Sequence, residues 1–252
     1  MTGAMIKTWF AKKNNLDPKN IVVVSVMPCT AKKFEVQRDD ENAAGVPDVD
    51  IAITTRELAR LINLAQINFT RLPDEDFDPA MGISTGAAAI FGATGGVMEA
   101  ALRTAADKLE GRSVEAIDYT EVRGTSDRKE ATYKIAGMDV KVAVVSGLKS
   151  ANKLLTEVRE GKADYHFIEI MCCPGGCVNG GGQPIQPASV RNFTDLKAER
   201  AKALYEEDKN LPLRKSHESP IIKQAYAEFL EKPGSHVAHE VLHTTYVARK
   251  KY

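Results

Sequence analysis

The chain has 252 residues, 43% of them hydrophobic, and 34 Lys and Arg residues balance 34 Asp and Glu residues. This length suffices for one large α/β domain or two small ones, and the zero net charge gives no reason to expect nucleic-acid binding. The sequence contains four cysteines, no secretory signal and no apolar run long enough for a membrane span. We therefore expect a cytoplasmic protein with reduced thiols.

Hydrophobic periodicity predicts an alternation of strands and helices. In the first third of the chain, it predicts a helix over 4–14, strands over 21–26 and 49–54, a helix capped by Thr55 and an acidic loop over 71–80. In the middle, it predicts a helix from 97 to Gly111 and a hairpin pairing 115–123 with 130–136. A strand over 140–146, a helix over 148–160, a strand over 165–171 and a mostly helical last fifth follow. The strand over 21–26 is apolar on both faces, which is typical of a parallel strand covered by helices. The pattern indicates an α/β architecture, whose sites lie beyond the C-terminal ends of strands.

Cysteines follow two of the expected strands. Cys29 comes after the strand over 21–26, and Cys172 and Cys173 come after the strand over 165–171. Cys173 and Cys177 flank Pro-Gly-Gly, where the glycines allow both thiolates to face one inorganic cluster. The alternatives are a zinc site, although structural zinc usually uses repeated ligand pairs, and a purely structural role in a turn.

Two further motifs suggest weaker hypotheses. Gly92, Gly95 and Gly96 precede a helix and could bind phosphate through backbone N–H groups, but their spacing matches no known phosphate fingerprint, so we favour tight helix packing. His239 and His243 form the H-E-x-x-H pattern of zinc proteases, which places two imidazoles on one helical face. The nine residues after His243 contain no third ligand, so we expect a surface histidine cluster there.

Four segments resemble the iron-only (FeFe) hydrogenases. Residues 27–35 (MPCTAKKFE) are similar to the second cysteine signature of that family, and residues 171–184 (MCCPGGCVNGGGQP) are similar to the third. Residues 91–100 (FGATGGVMEA) and 232–244 (KPGSHVAHEVLHT) also resemble it. The resemblance implies a two-lobed α/β catalytic domain, partial here over residues 1–252, with parallel sheets flanked by helices and the cluster site between the lobes.

The resemblance also implies a cofactor, the H-cluster, in which one cysteine links a [4Fe-4S] cubane to a two-iron unit with CO, cyanide and azadithiolate ligands. By position in the motifs, Cys29 and Cys173 are expected to ligate the cubane, and Cys177 is expected to bridge it to the two-iron unit. Lys32 is expected to hydrogen-bond an iron-bound cyanide, because an anion in a dry pocket requires a cationic donor. The residues expected to line the pocket are Met27, Phe91 and Met171.

The sequence departs from the family pattern at its beginning. The family carries a Thr-Ser-Cys-Cys-Pro-type signature, which supplies the fourth cubane cysteine, but only 28 residues precede Cys29 and they contain no cysteine. The resemblance therefore implies a piece of a longer gene product or one subunit of a split enzyme, inactive by itself. Cys172 is the alternative fourth ligand. Because neighbouring strand residues point to opposite faces, we expect Cys172 to point away from Cys173, and we expect its role to be that of a small buried residue.

The implied activity is the reversible reduction of protons to H2, with ferredoxin or flavodoxin as redox partner and with dedicated maturation proteins. A non-hydrogenase relative that acts in cytosolic iron–sulfur protein assembly, or as a nuclear prelamin-binding protein, is the alternative. Such relatives keep cubane cysteines but lose features that hold the two-iron unit. Residues 30–33 (TAKK) and Gly176 follow the hydrogenase form, which favours a hydrogenase.

Overall fold

The computed structural model describes residues 1–248, and these form two compact units. The first unit comprises Met1–Ile83 and the segment from Pro220 onward, and the second comprises Ser84–Ser219. Helices within the described part of the chain are all too short or too polar to cross a membrane.

The elements are numbered in chain order. The strands are β1 (Val24–Met27), β2 (Ile51–Thr54), β3 (Arg128–Ile135), β4 (Met138–Ser146) and β5 (Phe167–Met171). The α-helices are α1 (Thr2–Met5), α2 (Ala11–Lys13), α3 (Lys32–Glu35), α4 (Thr55–Leu64), α5 (Gly86–Ala89), α6 (Gly96–Glu110), α7 (Leu148–Arg159), α8 (Ala188–Arg191), α9 (Leu196–Asn210), α10 (Pro220–Ala225) and α11 (His236–Leu242). Two π-helical segments, Ile6–Phe10 and Tyr226–Leu230, continue α1 and α10.

The core of the first unit joins the two ends of the chain. Trp9 is buried among Met5, Ala225 and Leu230, so the N-terminal helix packs against the C-terminal helices. The indole N–H of Trp9 donates a hydrogen bond of 3.1 Å to a carboxylate oxygen of Glu228. A large aromatic ring whose polar atom is satisfied contributes strongly to such a core.

The sheet of the first unit has one open face. Strands β1 and β2 are parallel, with Val24 opposite Ile51. Ala52 and Thr54 are buried, whereas Val22, Val24, Val26 and Ile51 are 42–67% exposed. The prediction that the strand over 21–26 is covered on both faces is therefore wrong, because the helices that contact this sheet leave one face open.

The sheet of the second unit has the order β3-β4-β5, with β3 antiparallel to β4 and β4 parallel to β5. The predicted hairpin between 115–123 and 130–136 is wrong, since β3 pairs with β4. The physical reason is the two-residue turn at Ala136 and Gly137, whose φ angles of 49° and 77° suit a tight hairpin.

Strand β4 is the centre of the second unit. Val142 and Val144 pack against α6 residues such as Met98, while Ala143 and Val145 pack with Leu154 of α7. Alternate residues of the strand thus contact one helix on each face. The predicted α/β architecture is confirmed, and parallel pairing holds for β1-β2 and β4-β5.

Helix α4 begins one residue earlier than the sequence predicts. Thr54, not Thr55, is the N-cap: its hydroxyl accepts the Glu57 N–H at 3.2 Å, and the Glu57 carboxylate accepts the Thr54 N–H at 2.8 Å. This is a capping box. The hydrogen bonds from Thr54, together with Lys33 at 2.9 Å, lower the pKa of Glu57 to about 2.

We expect Thr54→Ala to lower the free energy of unfolding by about 1 kcal/mol, because one helical N–H loses its acceptor. Urea denaturation near neutral pH measures this loss, and Thr55→Ala is the matched control. Because the pKa of Glu57 is lowered from 4.5, its contribution is present above that pH and is lost as the pH falls toward 2. Equal losses for the two variants at neutral pH would show that Thr54 is not the cap.

Candidate functional site

The cysteine loop (residues 173–177) follows β5 directly. Cys173 and Cys177 are half-buried, whereas Cys172 is exposed. The expectation that Cys172 is a small buried residue is wrong in its burial. The physical reason is that successive residues leaving a strand face opposite sides, so only one of the two adjacent cysteines faces inward.

Two glycines shape the cysteine loop. Gly175 and Gly176 have φ angles of 85° and 94°, in the left-handed region that favours glycine. The Gly176 N–H donates to the Cys173 carbonyl at 2.9 Å, and Cys177 then begins the 3₁₀ turn Cys177–Asn179. The two cysteines therefore stand at opposite ends of one tight turn, and a single loop carries both thiols.

The glycine turn (residues 92–96) supports this loop. The Thr94 N–H donates to the Gly175 carbonyl at 3.1 Å. A Cβ atom on Gly176 would lie 2.6 Å from the Thr94 nitrogen and 2.8 Å from the Gly92 carbonyl oxygen. Similarly, a Cβ on Gly96 would lie 1.8 Å from the Ile90 oxygen. The interpretation of this glycine-rich stretch as tight packing is confirmed.

Two buried charges hold the glycine turn, and no sequence motif marks either of them. The Glu169 carboxylate of β5 accepts the N–H groups of Gly95 and Met98, both at 2.7 Å. This places a negative charge at the positive end of α6. The Lys129 ammonium of β3 donates to the carbonyls of Thr94 at 2.8 Å and Gly124 at 2.9 Å. Burial lowers the pKa of Lys129 to about 8 and raises the pKa of Glu169, since both charged forms lose water.

Helix α9 fastens the chain beyond the cysteine loop. The Arg200 guanidinium donates to the carbonyls of Val178 at 3.1 Å and Pro184 at 3.0 Å. The same helix is anchored by Asp208, which forms a bidentate pair with the fully buried Arg103 of α6 at 2.7 and 2.8 Å. The segment after Cys177 is thus tied to the helix that begins at the glycine turn.

In the first unit, the other cysteine segment runs from β1 into α3. Met27 ends the strand, Cys29 is half-buried, and Lys32 begins the helix. Lys33 lies 2.9 Å from a Glu57 oxygen and donates to the Ala52 carbonyl at 3.2 Å, which ties it to the neighbouring elements. Lys32 is ion-paired with Glu35 on the same turn, and its side chain is 39% exposed.

Two of the predicted apolar lining residues end strands, and the third lies in a short turn. Met27 and Met171 are half-buried at the C-terminal ends of β1 and β5. Phe91 is 44% exposed within the 3₁₀ turn Ile90–Gly92, at the start of the glycine turn. In the second unit, Phe91, Met171, Cys173 and Cys177 therefore belong to two touching segments. Their roles, like those of Met27, Cys29 and Lys32, remain predictions.

The cysteine loop suits an iron–sulfur group. Its two thiols are half-buried, thiolates are the usual ligands of such clusters, and the glycines beside them leave no bulk. The Thr94 hydroxyl is buried and has no hydrogen-bond partner within residues 1–248. Because a buried unsatisfied hydroxyl costs free energy, it is a ready donor for an anionic group held near the loop.

In a second cluster of candidate metal ligands, a lysine already balances the negative charge of the carboxylate. Side-chain ligand atoms of Asp107, His217 and Glu218 lie within 4.8 Å of one another. However, the Lys215 ammonium donates to both Asp107 oxygens, at 2.9 and 2.8 Å, and Lys215 is buried. The cation of this cluster is therefore a lysine, which makes it a structural ion-pair group.

Two family models match the chain. The model of the iron only hydrogenase large subunit, C-terminal domain, matches residues 1–181, and the model of the iron hydrogenase small subunit matches residues 194–249. The resemblance to iron-only hydrogenases is confirmed.

Individual relatives agree with these matches. The chain is 47% identical to the NADP-reducing hydrogenase subunit HndD of Solidesulfovibrio fructosivorans, over 100% of this chain and 42% of that protein. It is 51% identical to the periplasmic [Fe] hydrogenase large subunit of Nitratidesulfovibrio vulgaris, over 81% of this chain and 49% of that protein. It therefore spans less than half the length of these relatives.

Solved structures place the fold in the same group. A variant of the [FeFe]-hydrogenase HydA1 from Chlamydomonas reinhardtii matches with a TM-score of 0.80 at 37% identity, covering 98% of this chain and 68% of that one. By comparison, Protein NAR1 of Arabidopsis thaliana is 32% identical over 97% of this chain and 54% of that protein. The similarity is thus higher to the hydrogenases than to that relative.

We expect Gly176→Ala to destabilise the protein more than Gly161→Ala, measured as the free energy of unfolding in urea. Both positions have a positive φ, 94° and 69°, which costs alanine about 1–2 kcal/mol, and the ψ of −167° at Gly176 is a further conformation that essentially only glycine adopts. Only at Gly176 does the new Cβ also meet backbone atoms, which adds about 1–3 kcal/mol. Similar losses at the two positions would contradict the close contact between the loop and the glycine turn.

A second expectation concerns alkaline pH. Because the pKa of Lys129 falls from 10.5 to about 8 on folding, the unfolded chain holds this proton over the intervening range. The free energy of unfolding should therefore rise with pH between about 8 and 10.5 in the parent protein, relative to Lys129→Met. Lys134→Met, at an exposed site of the same strand, is the control and should keep the rise. Parallel pH curves for the parent and Lys129→Met would refute the buried charge.

Proposed function

We propose, because this chain belongs to the iron-only hydrogenase family, that it forms part of a catalytic domain for the reaction 2H⁺ + 2e⁻ ⇌ H₂. The observation that carries this proposal is the cysteine loop. It holds Cys173 and Cys177 at the ends of one turn, against a glycine turn that a single methyl group would displace. Such rigid placement of two thiols suits a large inorganic cofactor.

The proposed ligands are three cysteines. We assign Cys29 and Cys173 to a [4Fe-4S] cubane and Cys177 to the bridge between that cubane and a two-iron unit with CO, cyanide and azadithiolate ligands. When bound, this H-cluster supplies the metal site at which electrons and protons combine. The protein contributes ligation, orientation and a controlled surrounding, which is the usual division of work in a cofactor enzyme.

Among the two adjacent lysines, we assign the cyanide hydrogen bond to Lys32. Lys33 is held by Glu57 and the Ala52 carbonyl, so its ammonium is committed to the fold. The pair of Lys33 with Glu57 is at least as exposed as that of Lys32 with Glu35, so the difference is the further bond of Lys33 to the Ala52 carbonyl. The Lys32–Glu35 pair is part-exposed, and this kind of surface pair is weak. A charge-assisted bond to an anionic ligand would replace it at small cost.

The three apolar residues predicted to line the pocket have a separate role in this proposal. Met27, Phe91 and Met171 line the two-iron site and keep water out. A thioether is polarisable and adapts to an irregular surface, while it competes only weakly as a metal ligand beside thiolates. These side chains would shield the reacting centre without taking a coordination position.

In this proposal, residues 1–252 are a partial catalytic domain, and the chain alone does not complete the cofactor site. Three cysteines are assigned where a cubane requires four, so a further segment or separate subunit supplies the last ligand. As electron partner we propose ferredoxin or flavodoxin, and as loading machinery the maturation proteins of this cofactor, all in the cytoplasm.

The test is reconstitution of the chain with iron, sulfide and a synthetic two-iron mimic. We expect bound iron and sulfide to fall by about half or more in Cys177→Ala, because a cluster held by few thiolates tolerates no loss. Cys172→Ala, the matched control, should keep the parent's content. Equal loss in both variants, or in neither, would refute the ligand assignment.

Hydrogen evolution by the same reconstituted samples should not exceed that of the free cofactor. Activity above this control would overturn the proposal that the isolated chain is inactive, while leaving the ligand assignment standing. The alternative role in cytosolic iron–sulfur assembly predicts that the longer protein, after maturation, shows no infrared bands from iron-bound CO and cyanide.

A further inference from the structure

The H-E-x-x-H motif brings two imidazoles into contact. His239 lies in the last turn of α11, and His243 is the residue that ends the helix. The His243 N–H still donates to the His239 carbonyl at 3.2 Å, so the final turn closes and both rings project on the same side. Their Nδ1 atoms are 2.7 Å apart, and their ring centroids are 4.3 Å apart at an interplanar angle of 88°.

This arrangement places two imidazole nitrogens within bonding distance of one shared proton or cation. Two neutral imidazoles can share only one proton between facing nitrogens, with one ring donating and the other accepting. Both side chains are exposed, so ions from solvent reach them. A cation that accepts both lone pairs would satisfy the two rings at once, and imidazole nitrogen is a preferred ligand for nickel, copper and zinc.

The distance between the two Nδ1 atoms is close to that between two nitrogens that bind one metal ion. Metal–nitrogen bonds of about 2.0–2.1 Å set the two ligand nitrogens about 2.9 Å apart at a right angle and about 3.3 Å apart at a tetrahedral angle. The observed 2.7 Å therefore has to open by only a few tenths of an ångström. Two exposed side chains at a helix end can make that adjustment by small rotations.

We propose that His239 and His243 form a two-imidazole binding site for a divalent transition-metal ion of the nickel, copper and zinc class. Water completes the coordination. The site is not that of a zinc protease: the Glu240 carboxylate lies 3.6 Å from His236 Nδ1, where it faces another imidazole. Moreover, in the described segment the only group of three candidate ligands is the one around Asp107.

The proposed site is independent of the cofactor function. Its residues lie in the C-terminal segment of the first unit, and neither is a cysteine or a neighbour of one in sequence. Thiolates would compete for zinc and would be oxidised by copper(II), so the probe is nickel(II). Near-ultraviolet charge-transfer bands distinguish nickel bound by sulfur from nickel bound only by nitrogen.

The experiment is calorimetric titration of the full chain with nickel(II). We expect one nitrogen-bound ion per chain, and we expect either His239→Ala or His243→Ala to weaken its affinity by about tenfold or more, because one imidazole cannot chelate. His236→Ala removes an exposed imidazole from the same helix and should change the affinity by less than about twofold.

Unchanged affinity in either His239→Ala or His243→Ala would overturn the proposal, as would a nickel spectrum dominated by thiolate bands that both variants retain. Far-ultraviolet circular dichroism accompanies each titration. Because both side chains are exposed, helix content should be the same in all variants, so a loss of nickel binding reports on the ligands themselves.

Discussion

The close contact between the cysteine loop and the glycine turn determines the arrangement of the second unit. The Gly176 backbone lies so near the Thr94 backbone that only hydrogen fits as its side chain. This contact holds the cysteine loop against the turn that precedes α6. Because Gly176 adjoins Cys177, the same contact restrains where Cys177 lies. Strand β5 brings the first cysteine to this point, and helix α9 retains the chain that leaves it.

Two buried charges that bind main-chain groups stabilise this contact. Glu169 is satisfied by helical N–H groups and Lys129 by carbonyl groups, so main-chain dipoles replace the water that each lost. Both charges act on the glycine turn: Glu169 reaches it from β5 and Lys129 reaches it from β3. The shape of the turn is thus set by buried hydrogen bonds and not by flexible surface side chains.

Much of the fold and of the cysteine positions could be predicted from the sequence, and the wrong predictions have physical causes. The buried run in β4, the helix ending at Gly111 and the cysteines after β1 and β5 carry strong local signals. The hairpin was predicted at the wrong place because its actual turn contains Ala136 with a positive φ. Alanine rarely adopts that conformation, so the sequence does not mark the turn. Glu169 and Lys129 could not be found, since their roles depend on partners 71–74 and 35 residues away. The contact between His239 and His243 follows from helical spacing, but its closeness depends on how α11 ends.

The open face of the β1-β2 sheet has a consequence for the behaviour of the chain in solution. Its valine and isoleucine side chains form a row at strand spacing, and water is a poor solvent for such a surface. Sulfate and similar excluded salts raise the penalty further, whereas mild chaotropes reduce it. Conditions that favour burial of apolar surface therefore favour self-association of the chain through this face.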